Sequence, residues 1–334
     1  MATVYEHISQ NKRRTVLLVL LFPLVFALLC GLTFFVVFLL AGNGEPCATW
    51  NGSVLSCAQV HAAESLFLTV PFAWLAAVVW MVIAFFSGDK WLMSGAGAIA
   101  VTRQDQPEIY RLVENLCITR GLPVPRIYIM DDESLNAFAT GRDPQHASVA
   151  LTKGIVKKLE RAELEGVIAH ELAHVENRDI RLMLLTIAGI SFFTFAGEWC
   201  LRMALSSNRS RSSKEGGSGA LVWLVLGLVC LVYGYLIAPL IRLAVSRQRE
   251  YQADATAALT TRNPRALARA LAKISADPRV EALDRRESMA AMCIANPLAK
   301  AGLFSGLSGL FATHPPIEKR IAVLLDMDRE VSGN

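Results

Sequence analysis

Histidine is scarce in this chain, six residues of 334, and charge is thin, 19% of residues against 53% hydrophobic. The net charge is only +4 and no basic stripe is interleaved with aromatics, which leaves nucleic-acid binding without support. None of the seven cysteines has the spacing of a metal cluster. No Ser/His/Asp or reactive-Cys arrangement points to a nucleophilic hydrolase, and no internal repeat marks a solenoid. What the chain has in abundance is apolar sequence gathered in blocks, a pattern that two ordinary soluble domains do not produce.

Four apolar runs occupy 16–41, 65–86, 182–205 and 220–241, and roughly 20 residues are needed to cross the hydrocarbon core. Lys12-Arg13-Arg14 precedes the first run, whose apolar core far exceeds the roughly 7–15 residues of a secretion signal and lacks a nearby small-x-small cleavage site. It is expected to remain as an anchor. The basic cluster assigns 1–15 to the cytoplasm, with 16–41 as the first membrane helix. The loop 42–64, free of Lys and Arg, is then extracytoplasmic, and 65–86 returns the chain to Lys90 and Arg103.

The third and fourth helices, 182–205 and 220–244, either cross as a hairpin or lie partly immersed, because the loop 206–219 between them is flexible, polar and basic. Glu198 and Arg202, at i and i+4, also interrupt the third run and are placed to pair. Either arrangement puts 87–181 and 245–334 in one compartment, where the two parts can combine. Cys47 and Cys57 alone sit in the exported loop, a candidate disulfide, whereas Cys30, Cys117, Cys200, Cys230 and Cys293 are expected to be reduced and structural.

Within 92–180, Asp105 is expected to cap a helix with Pro107 in its first turn, Gly121 to close it, and Tyr110, Leu112, Val113 and Leu116 to form its apolar side. Arg126–Met130 and 147–151 read as short strands around the turn at Gly141-Arg142-Asp143-Pro144. A small sheet therefore accompanies the helix that follows. Beyond 245 the chain is Ala- and Arg-rich helix; Asn263-Pro264 starts a new one, 276–312 is less regular, and the last helix begins near Ile317.

The scarce histidines acquire weight at His170-Glu171-Leu172-Ala173-His174. On a helix the two imidazoles fall one turn apart on one face, able to share one Zn²⁺ while Glu171 stands beside its water. Residues 161–169 lead in with helix formers and with Leu164, Val167 and Ile168 at helical spacing. A peptidase zinc site takes three protein ligands. A third histidine shortly after the motif is excluded, because Asn177 and Ile180 stand where a glycine and that histidine would be needed. The best remaining candidate is Glu250, expected on the fourth helix prolonged into the cytoplasm; Asp254, at i+4, suits a carboxylate that accepts the N–H of a coordinating imidazole. Glu198, Glu281 and Glu287 are weaker rivals. Such a site, with one Zn²⁺ per chain, supplies hydroxide near neutral pH, and Glu171 as base and then acid completes peptide hydrolysis.

Together the HELAH segment with Asn177-Arg178-Asp179, the Glu250-to-Asp254 pair, Ser134-Leu135-Asn136-Ala137-Phe138-Ala139-Thr140-Gly141 and Thr313-His314-Pro315-Pro316 resemble the HtpX-type integral membrane zinc metallopeptidases, relatives of the CAAX prenyl endopeptidases. The fold expected is a mainly α membrane protein of four apolar helices with a cytoplasmic α+β, zincin-like catalytic domain. The resemblance implies zinc ligands His170, His174 and Glu250, catalytic Glu171, a cytoplasm-facing site in a bacterial inner membrane, and quality control of misfolded membrane proteins under stress. Asn136, Ala137 and Phe138 are candidates for a sheet edge that holds a substrate strand, with Asn136 orienting it. His314, stiffened by two prolines, is a candidate extra ligand or oxyanion partner. Arg320 is expected as an exposed helical arginine, with pairing to the site carboxylates as the alternative. A second functional reading is a membrane chaperone or scaffold with a structural zinc site, which four protein ligands would close.

Overall fold

The computed structural model describes residues 4–41, 46–50, 53–209, 217–234, 247–276 and 315–332. In chain order the first elements are α1 (Val4–Ala41), β1 (Pro46–Trp50), β2 (Ser53–Ser56), α2 (Cys57–Gly95), β3 (Ala98–Ala100) and α3 (Pro107–Arg120). Then come β4 (Arg126–Met130), β5 (Ala137–Gly141), β6 (Ala147–Thr152), α4 (Lys153–Lys158) and α5 (Arg161–Glu176). The remainder is α6 (Asp179–Arg209), α7 (Gly217–Val232), α8 (Arg247–Thr261), α9 (Pro264–Ala276) and α10 (Ile317–Ser332). The chain divides into two compact units. Met1–Thr15, Ala84–Ile187 and Pro239–Asn334 form one, Val16–Ile83 and Ala188–Ala238 the other.

The second unit is apolar helix. Among the described residues three stretches are long and apolar enough to cross a membrane, Ser9–Val37, Leu66–Gly95 and Asp179–Ser206, whereas the apolar part of α7, Ala220–Val232, is shorter. Phe22 and Phe26 meet Phe192 and Phe193 edge to face, with centroids 4.7 to 5.6 Å apart, the arrangement that ring quadrupoles favour. α6 and α7 cross at Gly197 and Gly227: a Cβ on Gly197 would lie 3.1 Å from the Gly227 carbonyl oxygen. Lipid supplies no hydrophobic drive between helices, so small residues that let backbones touch carry the association.

The helices outrun the apolar runs that announce them. α1 begins at Val4, so Lys12-Arg13-Arg14 is helical, and α2 begins at Cys57, so the connection expected over 42–64 holds the hairpin β1–β2 and the first residues of α2. The link expected between the fourth apolar run and Glu250 falls on 235–246, outside the described residues.

The first unit holds a four-stranded sheet of order β3-β4-β6-β5, with β4 and β6 parallel and the other pairs antiparallel. β4 has the bounds that its pattern predicts, and β6 adds Thr152 to the expected 147–151. β6 and β5 are buried along their whole length. α3 contributes Ile109, Leu112, Val113, Leu116 and Cys117 to the core, and Gly121 ends it in a left-handed conformation that glycine adopts without penalty. Asp105 does not cap it. Its carboxylate accepts instead from Thr102 N and Oγ1, at 2.8 and 2.7 Å, a local turn that competes with the helix end, and Gln106 stands at the N-cap without a side-chain bond.

α5 lies between the sheet and α9. A Cβ at Gly166 would sit 3.1 Å from Leu267 Cβ, so the missing side chain sets how closely the two helices cross. Beside that crossing, buried Glu163 receives Lys273 Nζ at 2.6 Å and Arg269 Nε at 3.3 Å, and accepts the Glu160 backbone N–H at 3.0 Å. Asn263 Oδ1 caps α9 by accepting Ala266 N at 3.0 Å.

Candidate metal centre

Helix α5 carries His170, Glu171 and His174, all on a segment with buried apolar residues before and after them. Helix α8 packs on α5 within the same unit and brings Glu250 and Asp254. Donor atoms of His170, His174 and Glu250 all lie within 4.8 Å of one another. His170 Nε2 and His174 Nε2 are 3.3 Å apart, and Glu250 turns one oxygen to each, Oε2 3.6 Å from His170 Nε2 and Oε1 3.6 Å from His174 Nε2. With Zn–N near 2.0–2.1 Å, the edge of a zinc tetrahedron is about 3.3–3.4 Å. The donor set therefore fits a zinc ion without rearrangement of the helices.

Orientation of the imidazoles supports the same fit. His170 Nδ1 faces Asp254 Oδ1 at 2.9 Å and His174 Nδ1 faces Asp179 Oδ2 at 3.0 Å. Each Nδ1–H is thereby directed to a carboxylate, so in the neutral rings both Nε2 lone pairs converge on one point beside a third, anionic donor. Burial opposes protonation of His170, 1% exposed, yet hydrogen bonds to Asp254 and Glu250 raise its pKa to about 9. Burial likewise opposes a charge on His174, and Asp179 and Glu250 outweigh it. Metal and proton compete for the same nitrogens, since coordination needs the neutral imidazole.

Arg320 overturns its expectation as an exposed helical arginine. It is 0% exposed and lies in α10, with Nε 2.8 Å from Asp254 Oδ2, Nη2 2.7 Å from Asp254 Oδ1, and Nη1 3.3 Å from Glu250 Oε2. This fork matches the carboxylate geometry that guanidinium favours. Burial opposes the Asp254 charge, but Arg320 and His170 hold its carboxyl below the usual carboxylate range. The charges of Asp254, Glu250 and Glu171 in turn raise the Arg320 pKa against its own burial. Ile317, Ile321 and Leu324 flank Arg320 at helical spacing on the buried side of α10, a pattern that could have announced a buried arginine.

Glu171, also buried, follows His170 directly on α5. Asn136, Ala137 and Phe138 are buried where β5 begins, and among the described residues β5 pairs with β6 alone, so it is an edge strand; it packs beside α5. Asn136 Oδ1 accepts from Ala137 N at 3.0 Å, a bond that fixes the start of the strand. Glu198 is an exposed side chain paired with Arg202 at 3.3 Å. Glu281, Glu287 and His314 lie outside the described residues, as do the side chains of Cys47 and Cys57. Cys30, Cys117, Cys200 and Cys230 are buried free thiols. Asp179 is the site residue that spacing arguments passed over, since it belongs to the next helix.

Comparison with known proteins adds an independent line. The sequence profile described as peptidase family M48 matches residues 103–328. A protein named "Protease HtpX homolog" from Bacteroides fragilis is 43% identical over 318 residues, covering 95% of this chain and 96% of that one. Another of that name from Tropheryma whipplei is 39% identical over 336 residues, covering 98% and 99%. The crystal structure of S. mikatae Ste24p aligns at 20% identity and a TM-score of 0.41, over 74% of this chain and 56% of that one, a likeness too slight to carry a conclusion.

Proposed function

Because the chain belongs to peptidase family M48, a family of metallopeptidases, and is a multi-pass membrane protease, we propose that it hydrolyses peptide bonds with one Zn²⁺ held by His170, His174 and Glu250. The observation that carries this reading is the convergence of donor atoms of His170, His174 and Glu250 within 4.8 Å of one another, with the two Nε2 atoms 3.3 Å apart, close to the edge of a zinc tetrahedron. Two imidazoles and one carboxylate are also the donor set of catalytic zinc peptidases. A zinc ion held there would supply a water with a pKa near 7 and a Lewis acid for the scissile carbonyl.

The chain's own residues do the rest. Glu171 takes the water proton and returns it to the leaving amine. Asp254 and Asp179 keep the two imidazoles in the tautomer that directs Nε2 inward. Arg320 forks onto Asp254 and reaches Glu250 Oε2 at 3.3 Å, so its positive charge compensates both acidic side chains. The edge of β5 at Ala137 and Phe138, buried as it stands, would receive an extended substrate through main-chain hydrogen bonds once uncovered.

An extended segment of an unfolded protein can join an edge strand, whereas a folded one cannot, and this supports misfolded or damaged membrane proteins as substrates. The basic cluster Lys12-Arg13-Arg14 before the first span supports a cytoplasmic face for the unit that holds the site, in a bacterial inner membrane. Purified Glu171→Gln protein is the test. It should bind zinc as the unaltered protein does and lose cleavage of an unfolded membrane protein by several orders of magnitude; cleavage at the original rate would reject the assignment.

A further inference from the structure

The turn between α5 and α6 is held from a distance by the first helix of the chain. Asn11, on α1 and 3% exposed, spends both hydrogens of its amide there: Nδ2 donates to the Asn177 carbonyl at 2.9 Å and to Asp179 Oδ1 at 2.7 Å. Both partners are acceptors only, so the amide can take no other orientation. Asp179 Oδ1 also receives Arg249 Nη1 from α8 at 3.2 Å, while Oδ2 faces His174 Nδ1 at 3.0 Å. One carboxylate thus joins α1, α8 and the imidazole, and all its partners lie in the first unit.

Geometry of the turn explains why it needs holding. Arg178, between the two acceptors of Asn11, has φ +59°, the left-handed region that costs a non-glycine residue roughly 1–2 kcal/mol. That kink turns Asp179, the first residue of α6, back toward α5 and His174. Asn177 N bonds Ala173 O at 3.0 Å and Arg178 N bonds Val175 O at 3.2 Å, so the strained residue follows directly on the last turn of the helix that carries the motif. A residue with an amide donor pair spanning positions 177 and 179 fixes the strained one between them.

We infer that Asn11 is a positioning residue of the metal centre: through Asp179 it sets the tautomer and aim of His174, and the docked N-terminal turns of α1 are thereby part of the zinc site. The inference rests on the reading of His174 as a ligand. It makes the metal affinity depend on a helix that contributes no donor atom.

The experiment is a double-mutant cycle on zinc affinity, measured on the full-length detergent-solubilised protein by competition with a chromophoric chelator. Asn11→Ala should weaken zinc binding roughly tenfold, the lower end of what partners of coordinating histidines contribute. In an Asp179→Asn background the same substitution should cost close to nothing, because the carboxylate that relays its effect is gone. An unchanged affinity in Asn11→Ala, or an equal loss in both backgrounds, would overturn the inference. The visible spectrum of Co²⁺-loaded Asn11→Ala protein gives a second readout that does not need the Asp179 variant. A shifted d–d band supports the relay to His174, and an unaltered band at full loading refutes it. His174→Ala separates the two readings. If it leaves zinc binding intact, the ligand assignment falls; if it abolishes binding while Asn11→Ala binds normally, only the role of Asn11 falls.

Discussion

Removal of the Arg320 guanidinium tests the electrostatics of the centre independently of catalysis. Asp254 and Glu250 are both buried, and Arg320 meets the first at 2.7 and 2.8 Å and the second at 3.3 Å. In Arg320→Met the apolar stem is kept, but two carboxylates remain in a dry environment with the charge of Glu171 beside them. Loss of one partner from a buried ion pair costs about 3–5 kcal/mol. At roughly 2–4 °C per kcal/mol for a unit of 150–250 residues, the metal-free protein should unfold about 6–20 °C earlier. Saturating Zn²⁺ should recover much of that loss, since a divalent cation compensates Glu250 directly. Arg320→Lys, which keeps the charge but not the fork, should fall between. The assay is thermal unfolding of the solubilised, metal-stripped chain followed by circular dichroism, with and without added zinc. A midpoint for Arg320→Met within a degree or two of the unaltered protein would refute the argument, because it would mean that the buried carboxylates do not need their counter-charge.

Gly154→Ala should lower the unfolding midpoint by several degrees, because a Cβ there would fall on the carbonyl oxygens of Glu133 and Ser134, backbone atoms that cannot swing aside; an unchanged midpoint would contradict the packing around α4. Lys273 and Arg269 hold the Glu163 carboxyl below its ordinary value in spite of burial, which acts the other way. A depressed carboxylate contributes stability that is present above the unfolded pKa, near 4.3–4.5, and is lost as pH falls through the folded value. Acid titration of Glu163→Gln should therefore show a smaller loss of stability below about pH 4.5 than the unaltered chain, and parallel curves would exclude the clamp between α5 and α9.

Much of this architecture is legible in the residues because the period of the pattern is local. Arg126–Met130 reads as a strand, Pro107 and Gly121 bracket a helix, and HELAH names its own helix and face. The pairing of Glu250 and Asp254 with the histidines is legible too, since i, i+4 spacing and metal chemistry both restrict the choice. Arg320 is legible only as the alternative to an exposed arginine, and Asp179 only as a member of the Asn177-Arg178-Asp179 motif, with no contact assigned to it. Each acts across a tertiary contact whose sequence mark is faint: one arginine on an otherwise apolar helical stripe, one aspartate at a helix start where acidic residues are ordinary. Asn11 is fainter still, a single amide near a basic cluster. The extents of α1 and α2 were underestimated because hydropathy stops where the hydrocarbon does, whereas backbone hydrogen bonding continues into water.

The donors of the centre come from two stretches of chain with α6 and α7 inserted between them. A ribosome that has delivered everything up to Arg209 has made both imidazoles and the glutamate beside them, yet the third donor is still to come. Synthesis proceeds at some 5–20 residues per second, so for several seconds the nascent product owns half a blade. With the proposed ligand set, the cutting edge can close only after the apolar stretches of α6 and α7 have been synthesised, so the capacity to hydrolyse follows the membrane segments in time.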